Sequence, residues 1–504
     1  VDRPVRVLPI RPDVRFLKDE AKRRRRGGEF GSLAAAQFAI AREHGFGSWP
    51  QLATFIRTRR LSTAERAAAL VRAACGSDVR TARTLLAAEP ELARHDLATA
   101  CVTGEADVVA RILAGRPGAA TRPTGPNGIP PILYACFTRL LRSDPDRAAG
   151  VRQVVRLLLA AGADPNTTVD AYEEAPPIYG AAGVVNDPEL TAMLLAAGAD
   201  PDEGLPLPDP DDALAPGRPW GNESLYHAAE FPDPACAELL LDAKPHPIRV
   251  SYCLRRALDF DNPPMIEAFL RHGADPNLVP SFGRGRTALI SAVIGGHAAR
   301  TVARILDAGA SVNAVDDARL TALRYAVRYG EREITGLLTA RGGDPDAVTD
   351  EDRWMGAIST GDAPPGPGRP DLDLLERAAE RGDVELINRL VHAGADVNGT
   401  SRGTDLPPLH AAAYRGHRDA VIALLAAGVD PTTLNHYGGT ALQAAVFGSE
   451  HCTDPRGGIS MRPFEEVTHG DYPGVVAALL AAGTPMPDEI AGSPAVQELL
   501  HRHA

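Results

Sequence analysis

One phrase recurs along this 504-residue chain and constrains its fold more than any other feature. Residues Leu157–Asn166 read Leu-Leu-Leu-Ala-Ala-Gly-Ala-Asp-Pro-Asn, and close variants stand at Leu194–Asp202, Leu270–Asn277, Leu306–Asn313, Leu390–Asn398 and Leu425–Pro431. Gly162 and Gly198 are 36 residues apart, as are Gly273 and Gly309, and Gly394 and Gly428 are 34 apart. A period of this size marks one supersecondary unit that cannot bury its apolar face alone and does so only by stacking on its neighbours. A chain of this length has also outgrown a single compact core, so an elongated array of such units accommodates it.

Each phrase reads as the last turn of a helix, a glycine free to take positive φ, and an Asp-Pro or Asp-Val step that turns the chain outward. About ten residues later a second phrase begins, as in Thr287-Ala-Leu-Ile-Ser-Ala292, Thr321-Ala-Leu-Arg-Tyr-Ala326 and Thr440-Ala-Leu-Gln-Ala-Ala445. The threonines are suited to cap a short helix whose leucine and alanine face inward. Glycines such as Gly330 and Gly416 then turn the chain into a second helix. Only 5% of residues are aromatic while 44% are apolar, which fits thin units with alanine- and leucine-filled cores.

These phrases resemble the ankyrin repeat, most closely in Leu406-Pro-Pro-Leu-His-Ala-Ala-Ala-Tyr-Arg-Gly-His417 followed by Val421-Ile-Ala-Leu-Leu-Ala-Ala-Gly428. The resemblance runs over residues 65–490 and implies an all-α ankyrin-repeat solenoid of about eleven or twelve helical hairpins with projecting turn fingers. Tyr134, Tyr179, Tyr226 and Arg255 stand where the family usually has histidine. His410 keeps it, and the family role of that position is structural. The expected organisation is an N-terminal helical module at 1–60, repeats over 61–360, a Gly/Pro-rich interruption at 361–370, and repeats over 371–504 with an insertion at 449–471. The interruption leaves two outcomes open, a bulged loop on a continuous stack or a weak junction between two blocks. Trp354-Met-Gly-Ala357, just before it, reads as a damaged first helix. In the module, Val14–Arg26 and Leu33–Ile40 read as helices. The module resembles one found before ankyrin repeats in bacterial proteins, and the drift towards Ala, Arg, Gly and Pro suits an actinobacterial-type source.

A net charge of −12 keeps the chain soluble and makes nucleic acid an unlikely partner. The five basic residues Lys22–Arg26 read as a solvated helix face, with contact to nucleic acid or an acidic partner as the alternative. No segment supplies the roughly 20 apolar residues of a membrane helix. Six scattered cysteines suit a reducing compartment, and a cytoplasmic location is expected. No nucleotide loop, nucleophile elbow or metalloprotease helix is present, and no cofactor is expected. His451, Cys452, Asp454, His469 and Asp471 do not match a compact zinc site, so no metal is expected either.

The resemblance implies that the first helices line a concave face, so residues before the first-helix glycines point to a groove. Glu230 and Phe231, Asp259 and Phe260, Ile294, Arg328 and Tyr329, Tyr414 and Arg415, and Phe447 occupy that lane. Arg324 and Arg328 repel each other at four-residue spacing, which leaves room for an anion between them. The finger residues Trp220, Phe282, Arg284, Arg286, His436 and Tyr437 are expected to be better placed to touch a ligand. The implied function is a binding scaffold for a protein or peptide, with a small anionic ligand as a further possibility. The alternative is a small-molecule enzyme in which Glu230 or Asp259, with Tyr226 nearby, does acid–base work while Arg255, Arg324 or Arg328 holds an anionic substrate.

Overall fold

The computed structural model describes most of residues 6–503; segments 170–174, 205–222, 280–283, 363–369, 401–405 and 453–469, with some shorter stretches, lie outside the described residues. Among the described residues the chain is all-helical, with isolated antiparallel bridges at Thr124–Ile129, Val315–Thr321 and Leu434–Thr440 in place of strands. Two compact units emerge from its contacts: Ala53–Ala257 with Asn262–Phe282, and Gly283–Ala504 with Val1–Leu52 and Leu258–Asp261. Residues on both sides of 361–370 share one of these units, and residues 1–52 belong to it.

The N-terminal residues contribute α1 (Val14–Arg26) and α2 (Leu33–Glu43). The first repeat unit then holds six hairpins: α3 (Thr63–Cys75) with α4 (Val79–Ala88), α5 (Leu97–Thr103) with α6 (Ala106–Gly115), α7 (Pro131–Phe137) with α8 (Pro145–Ala160), α9 (Pro177–Tyr179) with α10 (Pro188–Ala196), α11 (Glu223–Ala228) with α12 (Ala235–Asp242), and α13 (Pro247–Ala257) with α14 (Pro263–Arg271). The 283–504 unit holds five: α15 (Ala288–Gly295) with α16 (Ala299–Asp307), α17 (Ala322–Arg328) with α18 (Arg332–Ala340), α20 (Leu372–Glu380) with α21 (Val384–His392), α22 (Pro408–Tyr414) with α23 (Arg418–Ala426), and α24 (Ala441–His451) with α25 (Tyr472–Ala481). Between them lies α19 (Asp350–Thr360), and α26 (Pro494–His503) follows the last.

Local chemistry explains the units. The Thr287, Thr321 and Thr440 side chains each accept a hydrogen bond from the third backbone N–H of their helix. The phrase glycines all turn with positive φ, from +82° at Gly273 to +92° at Gly198 and Gly309, where a side chain would be strained. Within each unit first helices pack on first helices and second on second, so leucine and alanine faces meet in layers.

The reading of Trp354–Ala357 as a damaged helix is corrected here: α19 is an intact 11-residue helix opened by a Thr349–Asp352 capping box. It packs on α17 of the first-helix layer and on α21 of the second, with no hairpin partner among the described residues. Its approach to α17 depends on Gly356, because a Cβ there would lie 2.3 Å from the Val327 carbonyl oxygen. Gly356→Ala is therefore expected to destabilise this unit by about 1–3 kcal/mol through overpacking, measured by urea unfolding.

The N-terminal helices close the far end of the same unit. Helix α2 packs on α26, with the rings of Phe38 and His501 5.1 Å apart. Within the basic run, Arg24 turns inward to pair with Glu20 and Glu43, while Lys22, Arg23, Arg25 and Arg26 stay exposed.

Candidate functional site

In the first repeat unit, the lane residues of α11 and α13 turn largely inward. Glu230 is 4% exposed and takes hydrogen bonds from Arg256 (2.8 Å) and the Nδ1 side of His227 (2.6 Å). Burial works to raise its carboxyl pKa, but His227 and Arg256 outweigh it and hold the group below the ordinary carboxylate range. Tyr226 stacks on Tyr252 at 5.8 Å, with the Arg256 guanidinium 5.2 Å from its ring centre. Phe231 is buried beneath Arg142, whose guanidinium lies 5.4 Å from the ring. Phe231 therefore does not line an open groove as expected, because Arg142 covers it. Arg255 remains half-exposed. This arrangement leaves Glu230 an ion-pair partner of fixed charge, unsuited to exchanging protons near neutral pH.

In the 283–504 unit, Phe260 is buried and Asp259 exposed. The space between Arg324 and Arg328 is filled, and by the chain itself. Asp352 of α19 is fully buried, accepts from Arg324 Nε at 2.7 Å and from Arg328 Nε, and takes the Thr349 backbone N–H at 2.9 Å. Arg328 also donates to Asp371 at 2.9 Å. The expectation of an external anion between these arginines is corrected: the like charges are bridged from the next helix. Tyr329, expected in the open lane, lies under the Arg377 guanidinium, 3.7 Å from its ring centre.

Arg415 is also not a free groove cation. Its guanidinium is largely buried, pairs with Glu380 and points one nitrogen at Cys452 Sγ, 3.9 Å away. Arg284 is a turn residue with φ +53° whose carbonyl accepts from Asp317 N, and the Asp317 carboxylate lies against Gly285. The charge of Arg286 works to lower the pKa of Tyr325 and Tyr329, against burial, which raises both. Trp220 and Phe282 lie outside the described residues, as do Asp454 and His469. Asp471 caps α25 by accepting from Gly474 N. His410 is buried, bonds to the Gly439 carbonyl at 3.0 Å and is pushed below its ordinary pKa by burial, in keeping with a structural role. Among the described residues no group of three or more metal-ligating side chains is assembled.

An accessible strip survives around α22, α24 and the finger before α24. The rings of Tyr414, Phe447 and His451 form a stack, with neighbouring centroids 6.1 and 4.0 Å apart and planes within 22° of parallel. Phe447 is 37% exposed, and on the finger Leu434 is 56% and Tyr437 83% exposed, with His436 against the Tyr437 ring at 3.7 Å. The finger is held by its bridge and by Asn435, whose side chain accepts from the backbone N–H groups of Tyr437 and Gly439. Burial raises the pKa of Glu450 beside this strip. Leu434 was missed in the sequence because an isolated leucine in a turn gives no periodic signal. Asp352 had one: Thr349-Asp-Glu-Asp352 has the spacing of a helix-opening box.

The family model described as ankyrin repeats (3 copies) matches residues 254–349 and 375–454. Among solved structures, the ankyrin repeat domain of Bcl-3, described as a unique member of the IkappaB protein family, is 23% identical, with 52% of this chain and 99% of that one covered and a TM-score of 0.23. No curated protein matches the chain. No helix among the described residues is long and apolar enough to cross a membrane.

Proposed function

We propose that this chain of ankyrin repeats is a binding scaffold whose working face is the Leu434–His451 finger and helix, and that its partner is a protein or peptide presenting apolar or aromatic side chains. Ankyrin repeats generally mediate protein–protein interaction. The observation that carries the reading is the clustering of exposed apolar surface: of seven large hydrophobic residues exposed among the described ones, Leu434, Tyr437 and Phe447 fall in one finger–helix unit. Such side chains are costly to leave in water and are the usual anchors of an interface, surrounded by contacts that add little. The stack of Tyr414, Phe447 and His451 keeps the helix side rigid, so little side-chain freedom is lost on binding.

The test compares wild-type chain with Tyr437→Ala, Phe447→Ala and their double variant, immobilised and challenged with extract of the native cell. Each single change is expected to weaken capture of a specific partner about 30-fold, since a central aromatic anchor contributes roughly 2 kcal/mol. Equal recovery of every protein by wild type and double variant would remove this face from the account.

A further inference from the structure

A second recognition geometry lies away from the finger face, at the end of α15. Arg377 of α20 is almost wholly buried. One of its terminal nitrogens donates to the carbonyls of Val293 (2.9 Å) and Ile294 (2.7 Å), and the other to the Glu331 carboxylate (3.0 Å). Its guanidinium plane lies over Tyr329. Arg381 donates to the Gly295 carbonyl at 3.3 Å and comes within 3.6 Å of Glu331. It occupies the space a side chain at residue 296 would need: a Cβ on Gly296 would sit 1.1 Å from its terminal nitrogen.

The chemistry of this cradle is specific. Two successive carbonyls at a helix C-terminus, those of Val293 and Ile294, carry partial negative charge and point at Arg377, while the next, that of Gly295, points at Arg381. A carboxylate completes the set, and an aromatic face offers cation–π contact. Only a planar fork with donors on several edges satisfies all of these together, whereas an ammonium group would reach one or two acceptors and would not stack. The arginines that fill the cradle come from more than 80 residues beyond the α15 carbonyls and 46 or more beyond Glu331. The helix that carries them is anchored by Leu374, Leu375, Ala378 and Ala379 in the apolar core, independently of the cradle. Ile294 and Tyr329 are moreover lane positions of consecutive repeats.

We infer that the α15 C-terminus, Gly296, Tyr329 and Glu331 form a guanidinium-recognition subsite of the binding lane, filled in cis by Arg377 and Arg381, which an arginine of a peptide partner takes when they vacate it. This subsite stands independently of the finger face. It makes α20 an internal pseudo-ligand, so that binding across this part of the lane depends on displacing one or both arginines.

The test uses the full chain with Arg377→Ala and Arg381→Ala, melted alone and with arginine amide or lysine amide at about 20 mM, a concentration at which even weak binding registers as stabilisation. Arg377→Ala is expected to melt lower than wild type and to recover several degrees with arginine amide, little with lysine amide. Wild type should respond equally to both. Arg381→Ala vacates the more exposed half and should show the same selectivity with a smaller shift, which keeps the test readable if Arg377→Ala does not fold. Adding Glu331→Gln to Arg381→Ala should abolish the selectivity. Equal responses to the two amides in both alanine variants, or an equal preference for arginine amide in wild type, would overturn the assignment.

Discussion

Replacing Asp352 with alanine is expected to destabilise the 283–504 unit by about 3–5 kcal/mol, the range for removing one partner of a buried ion pair. The carboxylate is fully buried and stands between two guanidinium groups. Without it, Arg328 keeps Asp371, but Arg324 and Arg328 face each other uncompensated. The loss also breaks the capping box that opens α19, because Asp352 accepts from the Thr349 backbone N–H. Asp352→Asn keeps much of the hydrogen-bonding shape and removes the charge, so it separates the cap from the electrostatic bridge. Burial pushes the Asp352 pKa up, but Arg324, the Thr349 backbone and Arg328 together bring it below the ordinary value. A carboxylate with a depressed folded-state pKa contributes stability that is present above the unfolded value and lost as pH falls through the folded one. The difference between wild type and Asp352→Ala should therefore be full at pH 7 and shrink below about pH 4, where free aspartate titrates. Urea unfolding at pH 7 and pH 3 measures both. A difference under about 1 kcal/mol at pH 7 would mean that Asp352 is a surface-type pair of little consequence.

Removing Glu230 should be comparably damaging to the first repeat unit. Glu230→Ala leaves Arg256, 7% exposed and over the Tyr226 ring, without its carboxylate, and an expected loss of about 3–5 kcal/mol follows from the same reasoning. The informative control is the double variant Glu230→Leu with Arg256→Met. Replacing both charges with apolar groups of similar size is often close to neutral or stabilising, so the double variant should recover most of the loss. Urea unfolding of the two variants and wild type decides it. If the double variant is as unstable as Glu230→Ala, the pair matters through His227 and its packing rather than through buried charge. Because Glu230 is also held below the ordinary carboxylate range, its contribution too should fade only as pH falls through that depressed value.

These two residues show where reading along the chain stops being informative. Glu230 lies in the predicted lane, but its partners are His227, three positions away, and Arg256, 26 positions away on the next repeat. Arg324 and Arg328 lie four apart on one helix, yet the anion between them comes from 28 and 24 residues downstream. A one-dimensional pattern shows which side of its own helix a residue occupies. Whether that side meets water or the next repeat depends on how the repeats are stacked.

What the sequence determined by itself is the local unit: helices ended by positive-φ glycines, threonine N-caps, inward leucines and alanines, and from their period an all-α stack of ankyrin hairpins. Each of those signals is carried by residues within one turn of each other, so no distant contact is needed to read it. Only the tertiary structure decided that α19 packs between α17 and α21, that α20 lays Arg377 over Tyr329, and that α2 closes on α26. It also decided which lane residues stay open. In a solenoid the same charged or aromatic side chain at the same repeat position is a ligand contact or an inter-repeat strut according to what the neighbouring unit sets against it. Arg415 meets Glu380 and is buried, whereas the Tyr437 ring lies against His436 on its own finger and remains exposed, because long-range charge pairing draws one inward and the short turn offers the other little surface to cover it.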